Sequence, residues 1–182
     1  LLLSLGKNYK DAYSKKLINN LKKINNFCII GMGGSILGTK AIYNFLRPKK
    51  KIFTFIDNLS DMALKDDSKK KAILIVSKSG ETLETILNSN FLIKNKNKNI
   101  FITENKNSYL LNLANQLKSD VIHHNNFIGG RYSVLSEVGM LPAELMGLKS
   151  RNFRQFNSLI KNSRFLNSLV NNVGSIIYYI KN

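Results

Sequence analysis

The 182-residue sequence contains a single cysteine. One cysteine excludes a disulfide within the chain, and Cys28 lies in an apolar run, which predicts a buried thiol in a reducing, cytoplasmic compartment. No stretch is long and apolar enough to span a membrane. The opening Leu1–Leu3 has no basic residue before it and is too short for a signal peptide. We therefore expect a globular protein that has no membrane partner.

Acidic residues are scarce, with 11 Asp and Glu against 28 Lys and Arg and a formal net charge of +17. A nucleic-acid surface would account for this charge, but base recognition favours arginine and interleaved aromatic residues, and both are rare among these cations. The lysines are instead scattered along the chain in short groups at 15–16, 22–23, 49–51, 69–71 and 94–98. We favour a solvated lysine-rich surface without a nucleic-acid partner, whose positive field would attract a phosphorylated metabolite.

Short apolar runs alternate with helical patterns along most of the chain. Strands are predicted at 27–30, 52–57, 72–76, 100–103 and 121–124. Helices are predicted at 8–24, 36–46, 81–94, 107–117, from 129–133 to 146 and over most of 153–181, with a short one in the Lys-rich segment after residue 57. This alternation predicts an α/β fold, in which a flavodoxin-like five-stranded parallel sheet of order 2-1-3-4-5 has helices on both faces, plus flanking helices.

Two loops of small residues, 31-GMGGS-35 and 77-SKSG-80, follow strands 1 and 3. The predicted strand order reverses between these strands, so the loops face the crevice in which such sheets bind ligands. Ser77, Ser79 and Thr82 place three hydroxyls at the start of a helix, whose free backbone N–H groups attract anions. Because a helix cap needs only one serine, this loop predicts phosphate binding.

The glycine loop after strand 1 matches neither common nucleotide-binding motif. Ile36 stands where the dinucleotide motif has its third glycine, and no Gly-Lys-Ser/Thr follows for a Walker loop. Asp57 ends strand 2 at a plausible ribose position but is better explained as a turn or cap residue. The loop instead predicts close approach of a small polar ligand, contacted by Ser35 and the amides after Gly33.

A third glycine-rich segment, 129-GGRYS-133, follows strand 5. Its glycines permit a sharp turn that would aim Arg131 inward to stabilise an enolate-like or phosphate oxygen. A surface arginine that caps a turn explains the pattern equally well. His123 and His124 lack carboxylate or thiol partners for a metal, and neighbours on a strand point to opposite faces. We therefore predict that both histidines are structural.

The segment 77-SKSGETLET-85 resembles the phosphosugar loop of sugar isomerase (SIS) domains, which isomerases, amidotransferases and transcriptional regulators share. Together with 31-GMGGSILG-38 and 129-GGRYS-133, it resembles the glucose-6-phosphate isomerase family over about 27–148, and more weakly as far as 175-SIIYY-179. The resemblance implies a lead-in at 1–26, an SIS domain at 27–149, and a helical segment at 150–182 that leads to a second SIS domain.

The resemblance implies interconversion of glucose 6-phosphate and fructose 6-phosphate through a cis-enediol, by a homodimer when full length, with no metal or other cofactor. It assigns substrate binding to Gly34, Ser35, Ser77, Lys78, Ser79, Thr82 and Gly130. It assigns Arg131 to stabilisation of the enediolate.

The family's catalytic Glu, ring-opening His and C-terminal Lys belong to the second domain and tail, which the resemblance places beyond residue 182. Glu137 and Glu144 follow Arg131 but match none of these and are expected to be ordinary helix residues. We expect a half that binds phosphosugar without turning it over. The alternatives are a non-enzymatic SIS sensor of phosphosugars and a basic nucleic-acid-binding fragment.

Overall fold

The computed structural model describes residues 2–46, 50–59, 71–94 and 96–181. They form a five-stranded parallel sheet of order β2-β1-β3-β4-β5, as predicted. The strands are Asn26–Gly31 (β1), Ile52–Ile56 (β2), Ala72–Val76 (β3), Lys98–Thr103 (β4) and Asp120–His123 (β5).

The helices of the described residues pack on both faces of the sheet or flank it. They are Lys15–Leu21 (α1), Leu37–Leu46 (α2), Leu83–Leu92 (α3), Tyr109–Gln116 (α4), Glu137–Leu145 (α5), Ser150–Phe153 (α6), Asn157–Ile160 (α7) and Ser163–Lys181 (α8). Short 3-10 turns occupy Leu2–Leu5, Gly33–Ser35 and Gly130–Leu135. The short helix predicted after residue 57 lies in 60–70, outside the described residues.

Three helical predictions differ from the structure. The helix predicted at 8–24 begins only at Lys15, because the Ser14 hydroxyl accepts a hydrogen bond from the Leu17 amide (3.1 Å) and caps the helix there. The segment after Gly129 forms a 3-10 turn before α5, and the predicted C-terminal helix is divided into α6, α7 and α8.

Both faces of the sheet are covered by apolar side chains. Phe27 and Ile29 of β1 pack with side chains of α1, α2 and α5, whereas Cys28 and Ile30 pack with α3 and α4. This alternation follows the two-residue period of a strand. Each fully buried aliphatic side chain contributes about 1.5–3 kcal/mol relative to exposure, so the interior strands anchor the loops at their ends.

The segment before α1 is fastened to α5 and α6 by buried polar contacts. Arg154, whose side chain is 3 % exposed, bonds to Asp11 (2.8 Å from Nη1 to Oδ2) and donates from Nε to the Leu135 carbonyl (3.0 Å). The Tyr9 hydroxyl donates to the Glu137 carboxylate (2.8 Å). Burial and the neighbouring Glu137 raise the Tyr9 pKa, so this phenol stays protonated and continues to donate.

Helix α8 is exposed along its 19 residues, apart from the small contact area that it shares with α7. Its larger apolar side chains recur at spacings of three and four, as in an amphipathic helix. They include Leu166, Leu169, Val173, Ile176, Ile177 and Ile180. None of the helices in the described ranges has the length and apolarity needed to cross a membrane.

His123 is exposed and His124 is buried, as expected for neighbouring residues at a strand end. The His124 ring places Nδ1 3.0 Å from the Asn125 carbonyl oxygen. Burial lowers the His124 pKa because the imidazolium form would lose its hydration. The unfolded chain therefore binds a proton more readily than the folded one below the ordinary histidine pKa of about 6.5.

We expect the free energy of unfolding to fall as the pH drops from about 7.5 to 5.5, and to fall less in a His124→Gln variant, which has no such histidine to protonate. Urea denaturation at each pH measures the difference. His123→Gln serves as the control and should retain the wild-type pH dependence. Equal pH dependence in the wild type and His124→Gln would contradict the expectation.

Candidate functional site

The turn after β1 and the turn after β5 meet backbone to backbone. A Cβ added to Gly34 would lie 2.8 Å from the Arg131 Cα and would overlap the Gly130 carbonyl group. The Ser133 hydroxyl lies 2.7 Å from the Gly130 oxygen and 3.4 Å from the Gly34 oxygen, and so joins the two turns. The structure thus brings together Gly34, Gly130 and Arg131, which the sequence analysis assigned to one site.

The loop of residues 77–82 carries the three predicted hydroxyls at the N-terminus of α3. Ser77 is 2 % exposed, and its Oγ lies 2.9 Å from the Thr82 Oγ1 and accepts from the Gly80 amide (3.2 Å). Ser79 is exposed, and its Oγ accepts from the Glu81 amide (3.2 Å). Thr82 precedes α3 without a side-chain capping bond. Ser77 therefore shapes the loop, while Ser79 and Thr82 are nearer to solvent and able to donate to an anion.

Gly80 allows the 77–82 loop to approach the start of α4. Its φ is +69°, and an added Cβ would lie 2.7 Å from the Ser108 Cβ. The Gly80 carbonyl accepts from the Leu110 amide (3.1 Å), and the Glu81 carboxylate accepts from the Tyr109 amide (2.7 Å). The loop is therefore held in place by α4 before any ligand binds.

The two cations of the site have different surroundings. The Lys78 ammonium lies 3.1 Å from the Glu104 carboxylate and donates to the Asn126 carbonyl (3.0 Å). Arg131 is exposed, and within the described ranges its guanidinium takes part in no hydrogen bond or ion pair. A guanidinium keeps its charge at all physiological pH values, so Arg131 is the cation available to an incoming oxyanion.

Residues 14–172 match the sequence profile of phosphoglucose isomerase. The chain belongs to the phosphoglucose isomerase family. It is 35 % identical over 156 residues to the glucose-6-phosphate isomerase of Methanocaldococcus jannaschii, a match that covers 77 % of this chain and 38 % of the relative. The chain spans less than half the length of the curated relatives it matches.

Solved structures of similar shape show the fold. A hypothetical protein of Thermus thermophilus has a TM-score of 0.65 at 23 % identity, over 82 % of this chain and 40 % of that one. The glucosamine-6-phosphate deaminase of Thermotoga maritima has a TM-score of 0.55 at 19 % identity, over 85 % and 48 %. These neighbours confirm the predicted α/β fold.

Two glutamates of α5 in this phosphoglucose isomerase family member accept hydrogen bonds from other parts of the fold. Glu137 is 2 % exposed and accepts from the Tyr9 hydroxyl and, at 3.3 Å, from the Ala12 amide. Glu144 accepts from the hydroxyls of Tyr13 (3.3 Å) and Ser150 (2.8 Å). These contacts agree with the expectation that the two glutamates are ordinary helix residues.

Two neighbours of the 77–82 loop were missed by sequence reasoning, namely Glu104 and Ser108. Glu104 directly follows β4, and its amide donates to the Lys78 carbonyl (3.1 Å). Ser108 caps α4 and limits the space beside Gly80. A polar residue directly after a buried strand is a local signal for Glu104, and a serine directly before a helix is one for Ser108. Neither signal identifies the residue that each of them contacts. Asp57, expected to be a turn or cap residue, pairs with Lys40 (2.9 Å).

We expect Gly34→Ala to lower the free energy of unfolding by about 2–3 kcal/mol, because the added methyl group overlaps the Gly130 backbone, which cannot move aside like a flexible side chain. The control is Gly33→Ala at the preceding position, which has a φ of +54° and open space around an added Cβ. It should cost about 1 kcal/mol from backbone strain alone. Urea denaturation of both variants measures the costs. A cost for Gly34→Ala no greater than that for Gly33→Ala would argue against the close approach of the two turns.

Proposed function

We propose that this chain supplies the phosphosugar-binding part of an enzyme that interconverts glucose 6-phosphate and fructose 6-phosphate through a cis-enediol. One observation carries the proposal. The backbone of the unpaired Arg131 is held against Gly34 at the carboxyl ends of the strands, and Ser79 and Thr82 place their hydroxyls at the same ends, just before α3. Membership of the phosphoglucose isomerase family supports it. The proposal extends to a cytoplasmic homodimer without nucleic-acid or membrane partners.

The 77–82 loop has the chemistry to bind the phosphate of such a sugar. Ser79 and Thr82 offer hydroxyl donors, and the first turn of α3 offers backbone N–H groups at the positive end of the helix dipole. Such neutral donors can hydrogen-bond to a phosphate dianion from several directions, so that no single ion pair with a lysine or arginine is required. Ser77 and Gly80 hold the loop in this shape. In this proposal Gly34, Ser35 and Gly130 border the sugar.

Arg131 has the chemistry to stabilise the intermediate. A base removes the C2 proton of the aldose and returns a proton to C1, while the O2 hydroxyl loses a proton and O1 gains one; the enediolate between the two sugars carries negative charge on oxygen. A fixed cation near that oxygen lowers the barrier because it interacts more strongly with the enediolate than with the neutral carbonyl. The reaction needs no metal or redox cofactor, since the base returns a proton to the sugar and the electron pair stays within it.

We propose that the part of the relatives' length not spanned by this chain supplies the base, the ring-opening group and the terminal lysine. We accordingly expect the 182-residue chain to bind fructose 6-phosphate without converting it. A coupled assay that detects glucose 6-phosphate tests this, with the full-length Methanocaldococcus jannaschii relative as the positive control. Turnover by this chain at rates near those of the control would overturn the assignment of catalysis to other residues.

A Ser79→Ala, Thr82→Ala double variant should bind fructose 6-phosphate more weakly, by on the order of 1–3 kcal/mol for each buried partner lost in the complex. Isothermal titration calorimetry gives the dissociation constants. Ser175→Ala, which removes an exposed hydroxyl on α8, is the matched control and should bind like the wild type. Unchanged affinity in the double variant would count against phosphate binding by the 77–82 loop.

A further inference from the structure

We propose that Lys78 is a positioning residue that ties the 77–82 loop to the loop of residues 124–131, which carries Arg131, and that it is not a direct ligand of the phosphate. The inference rests on the proposed function. It changes the role that the family resemblance implies for Lys78, and it assigns a role to Glu104, which sequence reasoning did not single out.

The bridge spans the carboxyl ends of three neighbouring strands. Lys78 lies after β3, Glu104 directly follows β4, and Asn126 lies in the loop after β5. The Lys78 ammonium contacts the Glu104 Oε1 (3.1 Å) and donates to the Asn126 oxygen (3.0 Å). At its other end, the Lys78 carbonyl accepts from the Glu104 amide (3.1 Å) and the Thr103 hydroxyl (3.3 Å). Both ends of Lys78 are thus bound to the end of β4, and only the ammonium extends to the next loop.

The charge of Lys78 is already compensated. The side chains of Lys78 and Glu104 are 27 % and 20 % exposed, so their pairing is only partly screened by water. A phosphate beside Lys78 would meet an ion pair rather than a net positive charge. Turning the ammonium toward the phosphate would leave the half-buried Glu104 carboxylate without its partner. The bridging geometry therefore suits fixing a loop better than capturing an anion.

Asn126 lies in a hydrogen-bonded turn that the chain joins to Arg131 through only a few residues. Around Asn126, the Phe127 amide donates to the Asn125 side chain (2.9 Å), and the Ile128 amide donates to the Asn125 carbonyl (3.1 Å). Asn126 is therefore the centre of a tight turn and not a loose tip. The 3-10 turn that holds Arg131 begins after Gly129, and an anchor at Asn126 therefore limits where that turn can lie.

Hydrogen exchange tests the bridge in the absence of any ligand. Amides of residues 125–131 should exchange faster in Lys78→Met than in the wild type, because the bond to Asn126 is lost. Lys98→Met is the matched control, since Lys98 pairs with Asp120 (2.6 Å) where β4 and β5 begin, at the opposite edge of the sheet. It should leave exchange at 125–131 unchanged. Equal exchange in Lys78→Met and the wild type would overturn the proposal.

A conservative variant separates the bridge from simple packing. Lys78→Arg keeps a cation and several donors, so it should restore slow exchange at 125–131. Exchange as fast in Lys78→Arg as in Lys78→Met would show that the bridge does not hold the loop, and would overturn the proposal.

A double-mutant cycle tests whether Lys78 acts through Arg131. Arg131→Ala and Lys78→Met should each weaken binding of fructose 6-phosphate by about tenfold, and the double variant should bind no more weakly than either single one. Additive losses, about a hundredfold in the double variant, would show independent contacts with the ligand and overturn the positioning role. If the wild type binds no fructose 6-phosphate, the proposed function fails, while hydrogen exchange still decides whether Lys78 holds the loop.

Discussion

The candidate site depends on one constraint, which is that parallel strands all end at the same edge of a sheet. Gly31 at the end of β1 pairs with Val76 at the end of β3, so the segments that follow them leave the sheet side by side. The right-handed crossovers then start helices from this edge, and their free N–H groups lie there as well. Hydroxyls, glycines and an arginine that are distant in sequence are therefore gathered without any contact that is specific to a ligand.

Glycine turns this general arrangement into a particular shape. The Gly34 backbone lies against the backbone of Gly130 and Arg131 at a separation that leaves no room for a Cβ. A turn anchored on the buried sheet thereby fixes the backbone of Arg131 without contacting its guanidinium. Arg131 stays exposed and unpaired while its backbone is held, so ligand binding has to order its side chain but not its backbone.

The strand order and the two small-residue loops could be predicted because they depend on local apolar runs and one general rule of sheet topology. The start of α1 could not, since residues before Ser14 are held by partners such as Glu137, more than a hundred positions away. The same holds for Lys78. The family resemblance implies a phosphate ligand at this position, whereas the contact with Asn126 exists only because β5 lies beside β4 in the folded sheet. Long-range pairing of this kind leaves no periodic trace in a single sequence.

The formal charge of +17 describes the whole surface, and the effect of the cations near the site differs from the effect of that overall charge. Scattered lysines create a diffuse field that attracts any anion, but the field falls off with salt and fixes no orientation. Near the 77–82 loop, Glu104 pairs with Lys78, and neutral hydroxyls and amides remain for the phosphate of the proposed substrate. The unpaired cation is on the neighbouring turn, where the proposed reaction develops its charge. Placing net charge at the reacting carbons rather than at the phosphate directs more electrostatic stabilisation to the transition state than to the bound substrate.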